Sequence, residues 1–310
     1  MESEGYPTPI RPGLTRVGWI GTGVMGAAMA GRIQSAGYAL TVYARTPSKA
    51  AHLARFGARI VSSPADAARS SDVVFTMVGH PSDVRSTVLD PTSGVLSTLP
   101  VGGVLVDTTS SDPALAREIA AAARSKGCWA IDAPVSGGDV GAREGRLAIF
   151  AGGDEKVIEW LSPVFEIMGK ATRMGEAGSG QSSKIANQIV VAANLLGLSE
   201  ALVFAEEARL GKRTFLEALK GGAAASSVIE IFGERMIDRD FTAGGFVEYM
   251  VKDLGMGLGR GEVEEDGERV VLPGAALCQQ LCLGMVAGGD GKMGIQGLVT
   301  AIERINGKKG

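Results

Sequence analysis

Short apolar segments alternate with amphipathic segments through the first half of the chain. The apolar segments predict strands, and they span residues 16–20, 40–43, 59–61, 73–78, 104–107, 128–132 and 147–151. The segments between them predict helices, chiefly at 26–37, 48–56 and 113–125, with a short helix opening at Ser63-Pro64. The nearly unbroken apolar run at 73–78 is typical of a strand buried on both faces of a parallel sheet. This alternation predicts an α/β domain with a doubly wound, mostly parallel sheet.

The second half of the chain has a helical period instead. Residues 182–209 contain no proline and one glycine, and Ile185, Ile189, Ala192 and Leu196 recur at helical spacing. They predict one long helix that links the first domain to an all-α domain. Further helices are predicted at 212–220, 226–237, 247–256, 274–287 and 297–305, and a distorted segment in the Gly- and Glu-rich stretch 255–267. The predicted domains are an N-terminal extension (1–14), the α/β domain (15–180) and the helical domain (181–310).

Composition narrows the functional classes. Of the 310 residues, 45% are hydrophobic and 21% are charged, as in a soluble globular protein. The formal net charge of −3 gives no general attraction to phosphate backbones or anionic membranes, so no nucleic-acid partner is predicted. No uninterrupted apolar run reaches the ~18 residues of a membrane span, and no membrane partner is predicted either.

Cysteines, histidines and the first residues bear on metal chemistry and location. Three cysteines leave one unpaired in any disulfide scheme, which fits a reducing compartment, and two histidines do not assemble a four-ligand zinc pattern. No metal is therefore predicted. The first sixteen residues have neither an apolar signal core nor the Arg-rich, acid-poor character of a transit peptide, so a cytoplasmic location is expected.

A glycine-rich loop follows the first predicted strand and opens the first predicted helix. Its residues are Gly21, Thr22, Gly23, Val24, Met25 and Gly26. In this context the first glycine makes a tight turn, the second lets a pyrophosphate approach the backbone, and the third permits close helix–strand packing. The helix N-terminus adds N–H groups and partial positive charge. The loop predicts dinucleotide binding, against the alternative of a purely structural turn.

The missing acid after the second predicted strand favours one dinucleotide. An NAD site would place Asp or Glu about 20 residues after the loop, but residues 27–65 contain neither. Arg45 and Thr46 stand at the strand end, with Lys49 close behind, and could hold a 2′-phosphate by charge-assisted bonds. NADP(H) is therefore preferred and NAD(H) remains possible. The alternative is that Arg45 is an ordinary solvated loop arginine.

Four segments, taken together, resemble the β-hydroxyacid dehydrogenase family. They are the glycine-loop signature at 19–30, the Asp-Ala-Pro-Val-Ser-Gly-Gly loop at 132–138, the helix start at 178–188, and Lys-Asp-Leu at 252–254. The resemblance covers residues 15–305 and extends to Arg45-Thr46, which is similar to the NADPH-using members. It implies a Rossmann domain followed by a helical domain, and an NADP(H)-dependent oxidoreductase. The reaction it implies interconverts a short β-hydroxyacid with its semialdehyde or with a glyoxylate-type aldehyde.

Lys184 is the predicted catalytic residue. Hydride addition to an aldehyde carbon leaves charge on oxygen, and an ammonium at the start of the interdomain helix could protonate it. In the oxidation direction its neutral form would act as the base. Gln188 lies one turn further on the same helix face and could bond the substrate oxygen or orient the lysine. Asn187 is a further polar candidate, for which capping is an equal alternative. The structural alternative for Lys184 is an ordinary surface lysine.

The loop of Ser136, Gly137 and Gly138 is predicted to bind the substrate, and Ser136 is also a catalytic candidate. Backbone N–H groups in such a glycine-rich loop can hold a carboxylate without an arginine, although a tight turn that only needs glycine would look the same. Asp253 is also assigned to substrate binding, where it could instead pair with Lys252 or cap a helix.

Further cofactor contacts follow from the family resemblance. It implies that Thr109 and Ser110 touch the nicotinamide ribose and the substrate, and that Lys252 reaches the cofactor. Met77 and Val78 end another predicted strand and are expected on the adenosine side.

Two other functions stay open at this point. One is a non-catalytic NADPH-binding module, and the other is imine reduction, a chemistry of relatives that replace the lysine; Lys184 disfavours both. A 6-phosphogluconate dehydrogenase would need a longer helical domain, and a methyltransferase would leave Lys252-Asp253 unexplained. The sequence does not choose among short carboxylated aldehydes, nor the direction of the reaction. A homodimer or homotetramer is expected from the long helix and the apolar second half.

Overall fold

The structure, a computed structural model, describes residues 9–259 and 270–308, and the chain divides into two units, Met1–Lys184 and Ile185–Gly310. The predicted domain boundary after Gly180 lies four residues before this division. Within the described residues the first unit holds a nine-stranded sheet of order β3-β2-β1-β4-β5-β6-β8-β7, with β9 beside β8. The strands are β1 Arg16–Ile20, β2 Ala39–Tyr43, β3 Arg59–Val61, β4 Val73–Thr76, β5 Val104–Asp107, β6 Trp129–Asp132, β7 Val135–Ser136, β8 Leu147–Gly152 and β9 Gly169–Gly175.

The sheet is doubly wound. Strands β1 to β6 pair in parallel, whereas β8 runs antiparallel to β6 and β7 and parallel to β9. The order reverses between β1 and β4, and in such sheets ligands bind beyond the carboxyl ends of the strands at this switch point. The predicted α/β class with a mostly parallel sheet is confirmed.

Helices cover both faces of the sheet. Those of the first unit are α1 Val24–Ser35, α2 Ala51–Arg55, α3 Pro64–Ala68, α4 Pro81–Leu89, α5 Pro113–Ser125, α6 Gly138–Glu144 and α7 Glu155–Met168. Trp19 and Phe75 belong to one core cluster and their chain neighbours Ile20 and Val74 to another. Since side chains alternate along a strand, these clusters are the two faces of the sheet.

The long helix α8, Ser179–Glu207, crosses the division between the units and leads into the second, helical one. The other helices there are α9 Lys212–Lys220, α10 Ser227–Ile237, α11 Val247–Gly257, α12 Pro273–Ala287 and α13 Leu298–Ile305. They enclose a separate apolar core to which α8 contributes Ala192, Leu195, Leu198 and Leu202. Of the stretch predicted to be distorted, residues 255–257 continue α11, and residues 260–267 lie outside the described residues.

Among the described residues, α8 alone is long and apolar enough to cross a membrane by length and composition. The sequence-based expectation concerned uninterrupted apolar runs, whereas α8 has a high mean hydropathy although polar residues interrupt it. The core helix of a soluble protein passes the same test, and the leucines of α8 belong to the core of the second unit.

Candidate cofactor and catalytic site

The glycine loop between β1 and α1 shows why three of its positions are glycine. Gly21 has φ +96°, and a Cβ there would lie 2.1 Å from the Met77 carbonyl oxygen. At Gly26 a Cβ would lie 2.3 Å from the Gly21 carbonyl oxygen. By contrast, a Cβ at Gly23 would meet no atom within 4 Å. Gly21 and Gly26 are therefore fixed by packing, whereas Gly23 leaves space above the loop.

The N-terminus of α1 is suited to an anion. Gly23 is its N-cap, no side chain caps it, and its first turn carries no acidic residue. The first N–H groups of a helix have no partner within the helix, and their partial charge favours a negative group. The loop is also stabilised by Trp19, whose indole Nε1 donates to the Gly21 carbonyl oxygen at 2.8 Å. The room for a Cβ at Gly23, next to uncapped N–H groups, fits the close approach of a dinucleotide pyrophosphate.

Arg45, Thr46 and Lys49 follow the end of β2 and are all exposed. The Arg45 side chain is 85% exposed, and its Nη1 lies 3.4 Å from Oδ1 of Asp83 in the first turn of α4. Asp83 also accepts a hydrogen bond from the His80 backbone N–H at 3.1 Å. Asp83 was not predicted from the sequence, because it lies beyond residues 27–65, where the acid of an NAD site would be expected. The long, exposed contact leaves the Arg45 guanidinium accessible to a phosphate.

The turns after β4 and β5 are tied together by side chains. The backbone N–H of Val78 donates to the Thr109 hydroxyl at 3.0 Å, and Thr109 is 1% exposed. Asp107 accepts from the Thr76 hydroxyl at 2.7 Å and from the Thr109 N–H at 3.1 Å. The structure thus brings the predicted cofactor residues Val78 and Thr109 together. Met77, Val78 and Ser110 are half-buried beside them.

The loop of Ser136, Gly137 and Gly138 joins β7 to α6. Gly137 and Gly138 have φ values of +134° and +65°, conformations that favour glycine. A Cβ at Gly138 would meet no atom within 4 Å, so space is left on that side. Asp139 follows in the first turn of α6, where its carboxylate accepts from Arg143 at 2.7 Å. Its carboxylate is therefore paired within α6, and no side chain caps the first turn of this helix.

Lys184 lies in the second turn of α8 and is 8% exposed, so the structure does not support the alternative of an ordinary surface lysine. The turn before it is held by two buried residues that the sequence analysis left without a role. Asp132, at the end of β6, accepts from the backbone N–H groups of Gly178 and Gln181, each at 2.8 Å. The signal for both was present, because Asp132 and Gln181 stand inside two of the recognised motifs.

Gln188 and Asp253 are brought together within the second unit. The Gln188 amide donates to Asp253 Oδ2 at 2.9 Å and accepts from the Asn187 amide at 3.0 Å. Lys252 Nζ lies 3.1 Å from Asp253 Oδ1, which makes an ion pair although the geometry is not that of a hydrogen bond. The same nitrogen lies 5.6 Å from the centre of the Tyr249 ring. Asp253 is 4% exposed. Of its three predicted roles, pairing with Lys252 is observed.

Family models match nearly the whole chain in two consecutive parts. Residues 16–177 match the NAD binding domain of 6-phosphogluconate dehydrogenase. Residues 178–302 match the model described as NAD-binding of NADP-dependent 3-hydroxyisobutyrate dehydrogenase.

Individual relatives agree with these models. Probable 3-hydroxyisobutyrate dehydrogenase-like 3, mitochondrial, of Arabidopsis thaliana is 58% identical over 302 residues, covering 97% of this chain and 92% of its own. The 2-hydroxy-3-oxopropionate reductase of Escherichia coli (strain K12) is 38% identical over 289 residues, 93% of this chain and 97% of its own. The solved 3-hydroxyisobutyrate dehydrogenase of Mycobacterium tuberculosis with L-serine has a TM-score of 0.79 at 27% identity, covering 93% of this chain and 99% of its own.

The same relatives overturn the expected location. Three Arabidopsis thaliana proteins, 53 to 58% identical to this chain, carry the word mitochondrial in their names. The expectation of a cytoplasmic protein is therefore wrong. It depended on the composition of the first sixteen residues, which does not decide the compartment.

Proposed function

This chain belongs to the β-hydroxyacid dehydrogenase family of NAD(P)-binding oxidoreductases, and we propose that it interconverts a short β-hydroxyacid, of the 3-hydroxyisobutyrate kind, with its semialdehyde or a glyoxylate-type aldehyde. One observation carries the proposal: a buried lysine, Lys184, near the start of the helix that follows the dinucleotide domain. A lysine costs free energy to bury and is almost never fully buried unless its ammonium is paired.

The residues of the first unit fit a dinucleotide. The uncapped N-terminus of α1 and the open space at Gly23 would take the pyrophosphate, and the half-buried Met77 and Val78 would lie beside the adenosine. Thr109 and Ser110 are the candidates for the nicotinamide ribose, and Lys252 remains a candidate cofactor contact. When bound, the nicotinamide supplies or accepts the hydride of the reaction.

NADP(H) is the proposed preference, with NAD(H) as the alternative. A 2′-phosphate needs cationic donors, and Arg45 and Lys49 are exposed where β2 ends, with the Thr46 hydroxyl between them. The description of the family model that matches residues 178–302 names an NADP-dependent enzyme, which supports the same choice.

The Lys184 amine is proposed as the general acid of the reduction. As the aldehyde oxygen becomes an alkoxide, the ammonium donates its proton, and in the reverse direction the neutral amine takes the hydroxyl proton. Gln188 is proposed to assist at the substrate oxygen, because its amide is already oriented by Asp253 and Asn187. The loop of Ser136, Gly137 and Gly138 is proposed to bind the substrate carboxylate. Asp253 remains a candidate substrate residue that would act through its hydrogen bond with Gln188.

A panel of short aldehydes tests this function. NADPH and NADH consumption would be followed with glyoxylate, succinic semialdehyde, methylmalonate semialdehyde and tartronate semialdehyde, comparing kcat/KM. We expect at least one to be reduced, with NADPH preferred. Lys184→Ala should lower kcat about 10²- to 10⁴-fold while NADPH binding is retained. An absence of turnover with every aldehyde would favour a non-catalytic NADPH-binding module, and turnover of cyclic imines alone would favour imine reduction.

Location and assembly are proposed from separate observations. A mitochondrial location follows the names of the Arabidopsis thaliana relatives, and imaging of the full-length protein fused to a C-terminal fluorescent tag tests it. A homodimer or homotetramer is supported by exposed apolar side chains on α8, among them Val190 at 60% and Phe204 at 70% exposure.

A further inference from the structure

The first turn of α8 is capped by a residue from a distant strand. The N–H groups at a helix start need partners outside the helix, and Gly178, which precedes α8, has no side chain to provide one. Asp132 provides it instead: Oδ1 accepts from the Gly178 N–H and Oδ2 from the Gln181 N–H, both at 2.8 Å. Asp132 is 4% exposed. The start of α8 is therefore bound directly to the carboxyl end of β6.

Glycines make this close approach possible. A Cβ at Gly180 would lie 2.4 Å from the Asp132 carbonyl oxygen and 2.8 Å from its Oδ2. A Cβ at Gly152, on β8, would lie 2.7 Å from Asp132 Oδ1. All three distances are too short for a real Cβ, so the backbone of Gly180 and that of Gly152 enclose the carboxylate on two sides. The first turn of α8 has little freedom to shift relative to β6.

Gln181 binds the same turn to a second site on the sheet. Its side chain is fully buried, its Nε2 donates to the Thr109 carbonyl oxygen at 2.7 Å, and its Oε1 accepts from the Ser111 N–H at 2.7 Å. Both ends of the amide are thus used on the turn after β5, the turn that carries the proposed cofactor residues Thr109 and Ser110. An isosteric side chain without the amide could fill the space but could not make either bond.

Lys184 follows Gln181 by three residues in the same helix, α8. We propose that Asp132 and Gln181 are positioning residues, which fix the first turn of α8 to the turns after β5 and β6 and thereby set the place of the Lys184 amine. The proposal rests on the function proposed above, because it assigns the two residues to the alignment of that amine. Neither residue is assigned a contact with substrate or cofactor.

A merely structural role makes a different prediction. If the two residues only stabilise the fold, their loss lowers Tm but leaves kcat per folded molecule unchanged. If they position Lys184, proton donation and hydride transfer become slower in molecules that are still folded. The primary deuterium isotope effect on kcat, measured with NADPH deuterated at the transferred position, should then rise, because the chemical step limits turnover more strongly.

The test uses the full chain, the best aldehyde of the panel, and the variants Gln181→Met, Asp132→Asn and Asp132→Ala. The matched control is Asp154→Ala, which removes another N-cap of the first unit, since Asp154 accepts from the Val157 N–H at the start of α7. For Gln181→Met and Asp132→Ala we expect kcat to fall on the order of 10²-fold, the cost of a misplacement near 1 Å. The Kd for NADPH, from fluorescence, should stay near the wild-type value and the isotope effect should rise. Asp132→Asn retains one acceptor oxygen and should lose less, while Asp154→Ala should lower Tm and keep kcat.

The outcomes separate the two proposals. Folded Gln181→Met and Asp132→Asn proteins with wild-type kcat and isotope effect would overturn the positioning role while leaving the proposed function standing. A raised Kd for NADPH at unchanged kcat would also overturn it, by showing that the residues act on the cofactor turn. If Asp132→Ala fails to fold, Gln181→Met and Asp132→Asn decide. A wild-type protein that reduces none of the aldehydes would refute the proposed function, and the positioning role with it.

Discussion

The side chain of Arg45 lies almost entirely in solvent at the end of β2, with its Nη1 3.4 Å from Asp83 Oδ1. Arg45→Asp should therefore change cofactor choice more than stability. It removes a charge-assisted donor and places a carboxylate near the 2′-position, where it repels phosphate and can accept from a ribose hydroxyl. We expect the NADPH/NADH ratio of kcat/KM to fall about 10- to 100-fold, the equivalent of one or two such bonds. Arg124→Asp, an equal charge change on α5, is the control, and an unchanged ratio in Arg45→Asp would contradict the assignment.

Asp132 gives the protein a stability that depends on pH. Burial raises the pKa of this carboxyl from 3.8 to about 7, with Asp107 acting in the same direction and the two N–H bonds opposing it. The folded state therefore holds a proton that the unfolded state releases near pH 4. The contribution of this proton to the free energy of unfolding is complete below about pH 4. It is lost as the pH rises towards 7, at up to about 1.4 kcal/mol per pH unit.

Urea unfolding of the wild type and Asp132→Asn between about pH 5 and pH 8 measures this contribution. The free energy of unfolding of the wild type should fall with rising pH below about pH 7 more steeply than that of the variant, and the two slopes should agree above it. Equal slopes throughout would mean that the carboxyl keeps its ordinary pKa.

Two glycines of the β1–α1 loop are expected to have different effects: Gly21 on folding, and Gly23 on the binding of the cofactor. Gly21→Ala places a Cβ against the Met77 carbonyl oxygen at a positive φ, so we expect the variant to lose several degrees of Tm. Gly23→Ala meets open space and should keep its Tm, while its methyl group intrudes where the pyrophosphate would lie. Loss of one close N–H contact to phosphate weakens the Kd for NADPH about 10- to 100-fold. Thermal unfolding and NADPH fluorescence titration distinguish the two effects, and tight NADPH binding by Gly23→Ala would place the cofactor elsewhere.

Elements with a strong periodic signal were predictable, and those defined by tertiary contacts were not. The predicted bounds of β1, β5 and α5 agree with the structure, because each combines apolar periodicity with clear end signals such as Asp112-Pro113. Helix α7 escaped prediction because Pro163 stands inside it, and β9 because its exposed positions show no alternation.

In the candidate site, too, residues in local motifs were predictable and contacts between distant residues were not. The glycine loop and Lys184 were found from local motifs, whereas the bonds from Asp132 to Gly178 and Gln181 join residues 46 and 49 positions apart. They exist only because β6 and the start of α8 meet in the fold. No local pattern carries that information, so the role of the Asp132 carboxylate could not be predicted from its motif.

At the scale of the whole molecule, α8 carries an exposed stripe within the second unit. Its residues follow one another at intervals of three or four: Ala186, Val190, Ala193, Gly197, Glu200 and Phe204. Such spacing puts side chains on one helix face, and small residues let a second helix approach closely. Only Glu200 interrupts the apolar character of this face. A second copy of the chain would cover it and complete the proposed homodimer or homotetramer.

Val190→Lys tests the stripe, because an unpaired ammonium in the interface would have to be desolvated. We expect light scattering to give a multiple of the chain mass for the wild type and the mass of one chain for the variant. The control is Val101→Lys, since Val101 is 84% exposed and belongs to the first unit. A wild type with the mass of one chain would refute the oligomer, whereas a Val190→Lys variant with the wild-type mass would place the interface on another surface. Because Val190 has no role in the proposed chemistry, kcat measured at concentrations where both proteins are folded then shows whether assembly itself supports turnover.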